Sequence, residues 1–228
     1  MSEYIRSDGA RIKLIPDPFC KWCCKPIEKG FAENTGTCYG CYQVYGTNSH
    51  PPISIRAVSL YILHGGWKDS QLSRDVWTLK SGDSSIVEMI GECMIYVLNE
   101  RFRYLKNANL IVPAPITDIK RPYNQADLLA QYISTRVGIE MEDILYKTPH
   151  DPQHKTPWEN KEENIRGKIK CLKRIDGKRV LLIDDTYNTG NTAKECAQIL
   201  RNMGAADVTG LMAVRTVDKS SLSRLGLL

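Results

Sequence analysis

The sequence predicts an α/β protein, a parallel sheet flanked by helices, preceded by a small N-terminal unit that depends on a metal ion. Three observations predict it. Residues 180–183, Val-Leu-Leu-Ile, form an unbroken apolar run, the pattern of a strand covered on both faces. Residues 109–112 form a second apolar strand, and each of the two strands is followed by a loop and a segment of helical period. Cys20, Cys23, Cys38 and Cys41 fall as two C-x2-C pairs separated by fourteen residues, a spacing that brings four thiolates to one tetrahedral ion.

The 228 residues suffice for one ordinary domain and a small extra one, here divided as residues 1–50 and 51–228. The apolar (42%) and charged (25%) fractions are those of a soluble globular protein, and the net charge of +5 permits contact with phosphates without demanding it. No apolar run approaches the ~18 residues a membrane helix needs, and the first ten residues lack the apolar core of a signal peptide. The expectation is a cytoplasmic protein without membrane insertion. In that compartment clustered cysteines argue for metal rather than disulfides. A closed set of four thiolates predicts structural zinc, with Cys24 a spare that could compete with Cys23 or else stand by as a partly exposed thiol. Cys93, Cys171 and Cys196 sit alone in periodic segments and are expected in the core; the lone His50 and His64 are expected in surface or packing roles.

Residues 42–52 are rich in Gly, Asn, Ser and Pro and read as a linker. A strand over 53–63 follows, broken by Gly65 and Gly66, then an amphipathic helix over 67–80 carrying Leu72, Val76 and Leu79 on one face. Ser85 and Glu88 fit a capping box opening a helix over 86–103. Pro113 and Pro115 end the strand at 109–112. Between that strand and the helix over 126–137, Lys120, Arg121, Asn124 and Gln125 place cations and amides before a helix start, an arrangement suited to pyrophosphate and equally that of a basic loop beside an ordinary cap. A short strand is expected at 144–147 and a longer one at 207–214, with an irregular tail from Arg215.

The chemistry concentrates where the 180–183 strand ends. Asp184 and Asp185 come first; Thr189-Gly190-Asn191-Thr192 then turns into a helix stopped by Gly204. Backbone N–H groups and the positive end of the helix dipole favour a phosphate, Gly190 lets the backbone approach it, and the threonines add hydroxyl donors. Two carboxylates beside a phosphate would repel it unless they faced ribose hydroxyls or magnesium, so the implied ligand is a ribose phosphate. No Gly-Lys-Ser/Thr follows, as a P-loop requires, and no glycine triplet with a distant acid, as a dinucleotide fold requires.

This stretch resembles the signature of type I phosphoribosyltransferases, which bind 5-phosphoribosyl 1-pyrophosphate (PRPP). The resemblance implies that Asp184 and Asp185 hold the ribose hydroxyls and that Asn188, Thr189, Gly190, Asn191 and Thr192 wrap the 5-phosphate. Thr186, Tyr187 and Asn188 depart from the usual pattern. Together with Val112-Pro-Ala-Pro115, Arg121-Pro-Tyr-Asn-Gln125 and Leu128-Leu-Ala130, the chain is similar to the ComF competence family, in which a zinc ribbon precedes such a domain. Pro122 and Tyr123 replace the usual Gly and Phe. That resemblance assigns Arg121, Asn124 and Gln125 to pyrophosphate, and Gln153, Lys161 and Asn164 to a lid over residues 148–167, with Lys161 replacing an Arg; a plain surface loop is the alternative for this stretch. It also implies single-stranded DNA and DNA-uptake proteins as partners, which the basic run over 166–179 could guide if it is more than a solvated face. Two functions stay open here: phosphoribosyl transfer with magnesium, or PRPP or nucleotide sensing coupled to DNA or partner binding.

Overall fold

The computed structural model describes residues 3–27, 30, 34–46, 49–116, 122–147 and 167–227. Its centre is four parallel strands, β3 (Ser54–Ile62), β4 (Leu110–Pro113), β7 (Arg179–Tyr187) and β8 (Asp207–Val217), in the order β3-β8-β7-β4. The apolar runs explain the burial on both faces. Along β7, Leu181 and Ile183 point to one side and Val180 and Leu182 to the other, and all four are buried.

The first face is covered by α2 (Gln71–Lys80), α3 (Val87–Glu100) and α4 (Gln125–Val137), whose Leu72, Val76, Ile90, Met94, Leu129 and Ile133 are fully buried. Each such side chain contributes roughly 1.5–3 kcal/mol by leaving water. The second face carries α5 (Asn191–Asn202), through Cys196, Ala197 and Leu200, and the cysteine-bearing segment, through Cys20, Cys24 and Ile27. The result is the expected parallel sheet flanked by helices.

A small antiparallel pair, β5 (Leu145–Lys147) with β6 (Ile169–Cys171), lies beyond β4. The N-terminal hairpin, β1 (Glu3–Ile5) with β2 (Arg11–Lys13), has no counterpart in the sequence reading. Its buried Arg6 explains why it docks: the guanidinium pairs with Asp75 of α2 at 2.5 Å and with Asp8 at 2.8 Å, while Tyr4 and Ser7 donate to Glu92 of α3. The chain then passes along the sheet edge, with Ile15 N donating to Val58 O and Ile55 N to Trp22 O.

Several boundaries differ from expectation for local reasons. The supposed linker starts as a helix, α1 (Tyr39–Tyr45), with Cys38 at its N-cap. The Ser85 capping box does not form: Asp83 accepts from Ser85 N at 3.0 Å and caps a 3-10 turn (Ser84–Ile86), so α3 starts later, at Val87. β7 runs on through both acids to Tyr187 because Thr186 and Tyr187 pair with Val214 and Arg215 of β8. For the same reason Arg215 lies inside β8, and the tail beyond it includes a helix, α6 (Lys219–Arg224), capped by Asp218.

Candidate functional site

Gly190 shapes the turn after β7. Its φ of +83° is a left-handed conformation open to glycine, and a Cβ there would lie 2.2 Å from the Tyr187 hydroxyl oxygen. Helix α5 therefore begins at Asn191 directly after a close-packed bend, and Thr189 Oγ1 accepts from Asn191 N at 3.4 Å. Asp184, Thr186 and residues 187–193 line a recess of about 90 Å³. The acid and the turn thus share one hollow, with the N-terminus of α5 at its wall.

The two acids have different surroundings. Asp184 continues the Val180–Leu182 side, where burial and then the neighbouring Asp185 push its carboxyl up to about 7. Lys147, at the end of β5, lies on this side too, its pKa lowered first by burial and held up in part by Asp184. Asp184 also accepts from Asp185 N at 2.8 Å. Asp185 is buried and pairs with Lys80 of α2 at 3.1 Å; the same ammonium donates to Thr186 Oγ1 at 2.9 Å. It is not among the residues lining the recess. Lys80 and Lys147 escaped the sequence reading because nothing in their local patterns distinguishes them from other surface lysines.

Of the residues expected at a second anion site, Asn124 caps α4 by accepting from Ala126 N at 3.1 Å and donates to Ala114 O at 3.0 Å, so both ends of its amide serve the fold. Gln125 is buried. Arg121 and Lys120, and Gln153, Lys161 and Asn164 of the expected lid, lie outside the described residues. Much of the basic run is matched by acids: Lys173 with Glu142 at 2.7 Å, Arg174 with Asp176 at 2.5 Å, and Lys178 with Glu140 at 3.8 Å.

Cys20, Cys23, Cys38 and Cys41 place their sulfurs within 4.8 Å of one another, with no disulfide among them. Four thiols converging this closely suit a tetrahedral zinc ion. The first pair is a tight loop held by Cys24 N donating to Cys20 O at 3.0 Å; the second is the start of α1. Cys24 is fully buried rather than partly exposed, with a left-handed φ of 59° that turns it toward the core, and burial raises its thiol to about 11. It stands apart from the four. Cys93 and Cys196 are buried as expected, whereas Cys171 is only partly so. His50 packs edge-on against Trp22, and His64 is exposed.

Between the cysteine cluster and the anion turn lies a cleft of about 510 Å³. Its lining includes aromatic rings, among them Trp22, Tyr45 and Tyr187, and the cations Lys25, Lys194, Arg215 and Arg224. Lys194 reaches across from α5, its Nζ 5.9 Å from the Tyr45 ring centre. No described helix is long and apolar enough to cross a membrane.

A parallel α/β fold with an acid beside a glycine-bent helix start, joined to a four-thiol cluster, is the class these features define. No protein-family model matches the chain. The chain is 28% identical over 117 residues to the Competence protein F of Haemophilus influenzae, covering 48% of this chain and 51% of that protein. It is 28% identical over 100 residues to the DNA utilization protein YhgH of Escherichia coli K12, covering 43% and 44%. The chain thus spans about half the length of the curated relatives it matches, and their names agree with the ComF resemblance. Solved structures that resemble it include a purine phosphoribosyltransferase of Pyrococcus horikoshii (TM-score 0.36, 17% identity, 58% of this chain and 89% of that chain). An adenine phosphoribosyltransferase of Thermoanaerobacter pseudethanolicus aligns with TM-score 0.39 at 16% identity, over 62% and 83%.

Proposed function

We propose that this protein binds PRPP or a closely related ribose phosphate, with residues 188–192 around the 5-phosphate and Asp184 on the ribose hydroxyls, as a ComF-type protein acting in DNA uptake or nucleotide metabolism. The observation that carries this reading is the shared recess: Asp184 and the turn built on Gly190 line the same hollow at the start of α5. Asp185, anchored on Lys80, holds the strand end in place behind Asp184. Arg121 and Gln125 would face the pyrophosphate, with Asn124 holding the helix start beside them rather than touching the ligand, and Gln153, Lys161 and Asn164 would close over it. Magnesium would arrive on the ligand's own phosphates. When bound, magnesium supplies charge neutralisation to a leaving pyrophosphate. The protein's part is electrostatic: an ionised Asp184 stabilises positive charge growing on the sugar. The division into a zinc-bearing unit over residues 1–50 and a ligand-binding domain over 51–228, and a cytoplasmic setting, belong to this proposal.

Calorimetry with PRPP and magnesium tests the ligand. Micromolar binding by the native protein, weakened at least tenfold in Asp184→Asn and in Gly190→Ala, supports it; no heat with PRPP, ribose 5-phosphate or pyrophosphate rejects it. A radiolabelled transfer screen against nucleobases and nucleic acids then looks for pyrophosphate release.

The cleft favours a second reading, in which the ligand is sensed and single-stranded DNA or a partner protein is bound. Rings and cations lining one cleft are what stacking on bases and contact with phosphates require. Binding of PRPP without turnover, together with a DNA affinity that falls steeply between two salt concentrations, would favour it.

A further inference from the structure

The apolar run of β8 ends at Val214, and the next residue, Arg215, carries its guanidinium back over three separate pieces of chain. Nε donates to the carbonyl oxygen of Cys23, a residue of the four-thiol cluster, at 3.0 Å. Nη1 lies 3.2 Å from the carbonyl oxygen of Tyr187 and 3.0 Å from that of Asn188, the two residues that open the anion turn. It also lies 2.6 Å from Thr216 O. The guanidinium carbon stands 4.9 Å from the Tyr187 ring centre, and Thr216 Oγ1 adds bonds to Tyr187 O at 3.1 Å and to Asn188 Oδ1 at 2.8 Å.

These carbonyl dipoles converge, and without a cation between them they would repel. A planar guanidinium with donors in fixed directions holds them where a lysine ammonium, a single point charge, cannot hold all at once. The consequence is geometric. The backbone of Cys23 and the entry to the anion turn cannot move independently while Arg215 spans them. A metal ion fixes Cys23 through its sulfur, so it fixes the far end of the same strut.

We propose that Arg215 is a positioning residue coupling the cysteine cluster to the anion turn, so that metal loading tightens anion binding and a bound anion slows loss of the metal. The anion half of this statement rests on the proposed function above. Its structural half does not.

The test uses the full chain loaded with zinc, as native protein, Arg215→Met and Arg215→Lys. Three quantities are measured: hydrogen exchange of the amides of residues 188–192 before and after chelation, PRPP–magnesium affinity before and after chelation, and the rate of zinc transfer to a chromogenic chelator with and without PRPP. In the native protein we expect chelation to weaken PRPP–magnesium binding about tenfold and PRPP to slow zinc transfer, since linkage requires that a metal which tightens anion binding be itself held more tightly when the anion is bound. Exchange at 188–192 should also rise about tenfold on chelation. In both variants the two sites should become independent, with chelation no longer changing the turn and PRPP no longer slowing zinc release. A merely structural arginine would weaken both sites yet leave the coupling factor intact, and that result overturns the proposal, as does a native protein in which chelation leaves the turn unchanged. If PRPP fails to bind, the functional reading falls while the exchange comparison still decides the coupling. If the metal-free chain unfolds, zinc release with and without PRPP decides it. Should Arg215→Met fail to fold, Arg215→Lys keeps the charge and loses the fork.

Discussion

The cysteine cluster and the turn after β7 rest on the same face of the sheet and share a cleft, yet they resolve their internal conflicts by opposite means. The cluster gathers four like groups within 4.8 Å, all from two short segments, and only a cation from outside reconciles them. The turn sets an acid beside a backbone that invites an anion, and its cations come from within the chain: Lys80 from α2, Lys147 from β5 and Arg215 from β8. The cluster is assembled locally and suits completion by an ion; the turn is assembled by the fold itself. The difference predicts where each fails.

Removing the metal breaks the comparison most directly. Chelation, or Cys20→Ser, should cost on the order of 5 kcal/mol, since a segment with so little core of its own draws its stability from the ion. Metal analysis should give one zinc per chain in the native protein, and melting temperature should fall by more than 10 °C, at roughly 2–4 °C per kcal/mol for a chain of this size. A cysteine variant that melts with the native protein would show that the thiols are merely packed together.

The second intervention removes an internal cation instead. Lys80→Met leaves the carboxylate of Asp185 buried without its partner at 3.1 Å, a change that costs about 3 kcal/mol. The double variant Lys80→Met/Asp185→Asn should recover most of that loss, because no unpaired charge remains. Zinc content should stay at one per chain in both. Equal stability of Lys80→Met and native protein would mean that water already screens the pair.

This contrast also explains what the sequence made legible. Residue spacing was sufficient for the cysteine cluster, because its ligands lie close along the chain and the chemistry of four thiols admits few alternatives. The run 180–183, the acids and Gly190 were legible for the same reason: strand, turn and helix start are consecutive. What could not be read were partners brought together by topology. Lys80 meets Thr186 across 106 residues, and no local pattern marks it. Arg215 was read as the start of an irregular tail because the apolar run stops at Val214, although pairing with Tyr187 carries the strand onward. Asn124 illustrates a subtler limit: a polar residue before a helix fits a ligand site and a cap alike, and in this fold it acts as a cap.

A smaller change sharpens the account of the turn. Gly190→Ala puts a methyl group into a left-handed backbone and against the Tyr187 ring, and should cost about 1–2 kcal/mol. Its effect on PRPP affinity should exceed its effect on stability, with at least a tenfold loss by calorimetry. Unchanged affinity would remove Gly190 from the anion site.

The smallest effect in stability is the most informative in sign. Asp184 is a carboxyl whose pKa in the folded protein, about 7, stands above its ordinary 3.8. Between those values the folded state binds more protons than the unfolded chain, so Asp184 makes stability fall as pH rises, the reverse of a paired surface acid. Asp184→Asn should therefore melt with the native protein near pH 4. It should gain on the native protein as pH rises, by on the order of 1–2 kcal/mol at pH 8 once partial contact with water is allowed for. Binding should move the other way. Ribose hydroxyls donate to the ionised carboxylate, so PRPP should bind the native protein more tightly as pH rises through 7, with release of a proton that calorimetry counts in two buffers of different ionisation enthalpy. The asparagine variant should lack that proton. A stabilised variant that has lost ligand would mark Asp184 as an acid kept for its chemistry at the expense of the fold, whereas equal melting of the two proteins at pH 4 and pH 8 would show that its carboxyl is already solvated and ordinary.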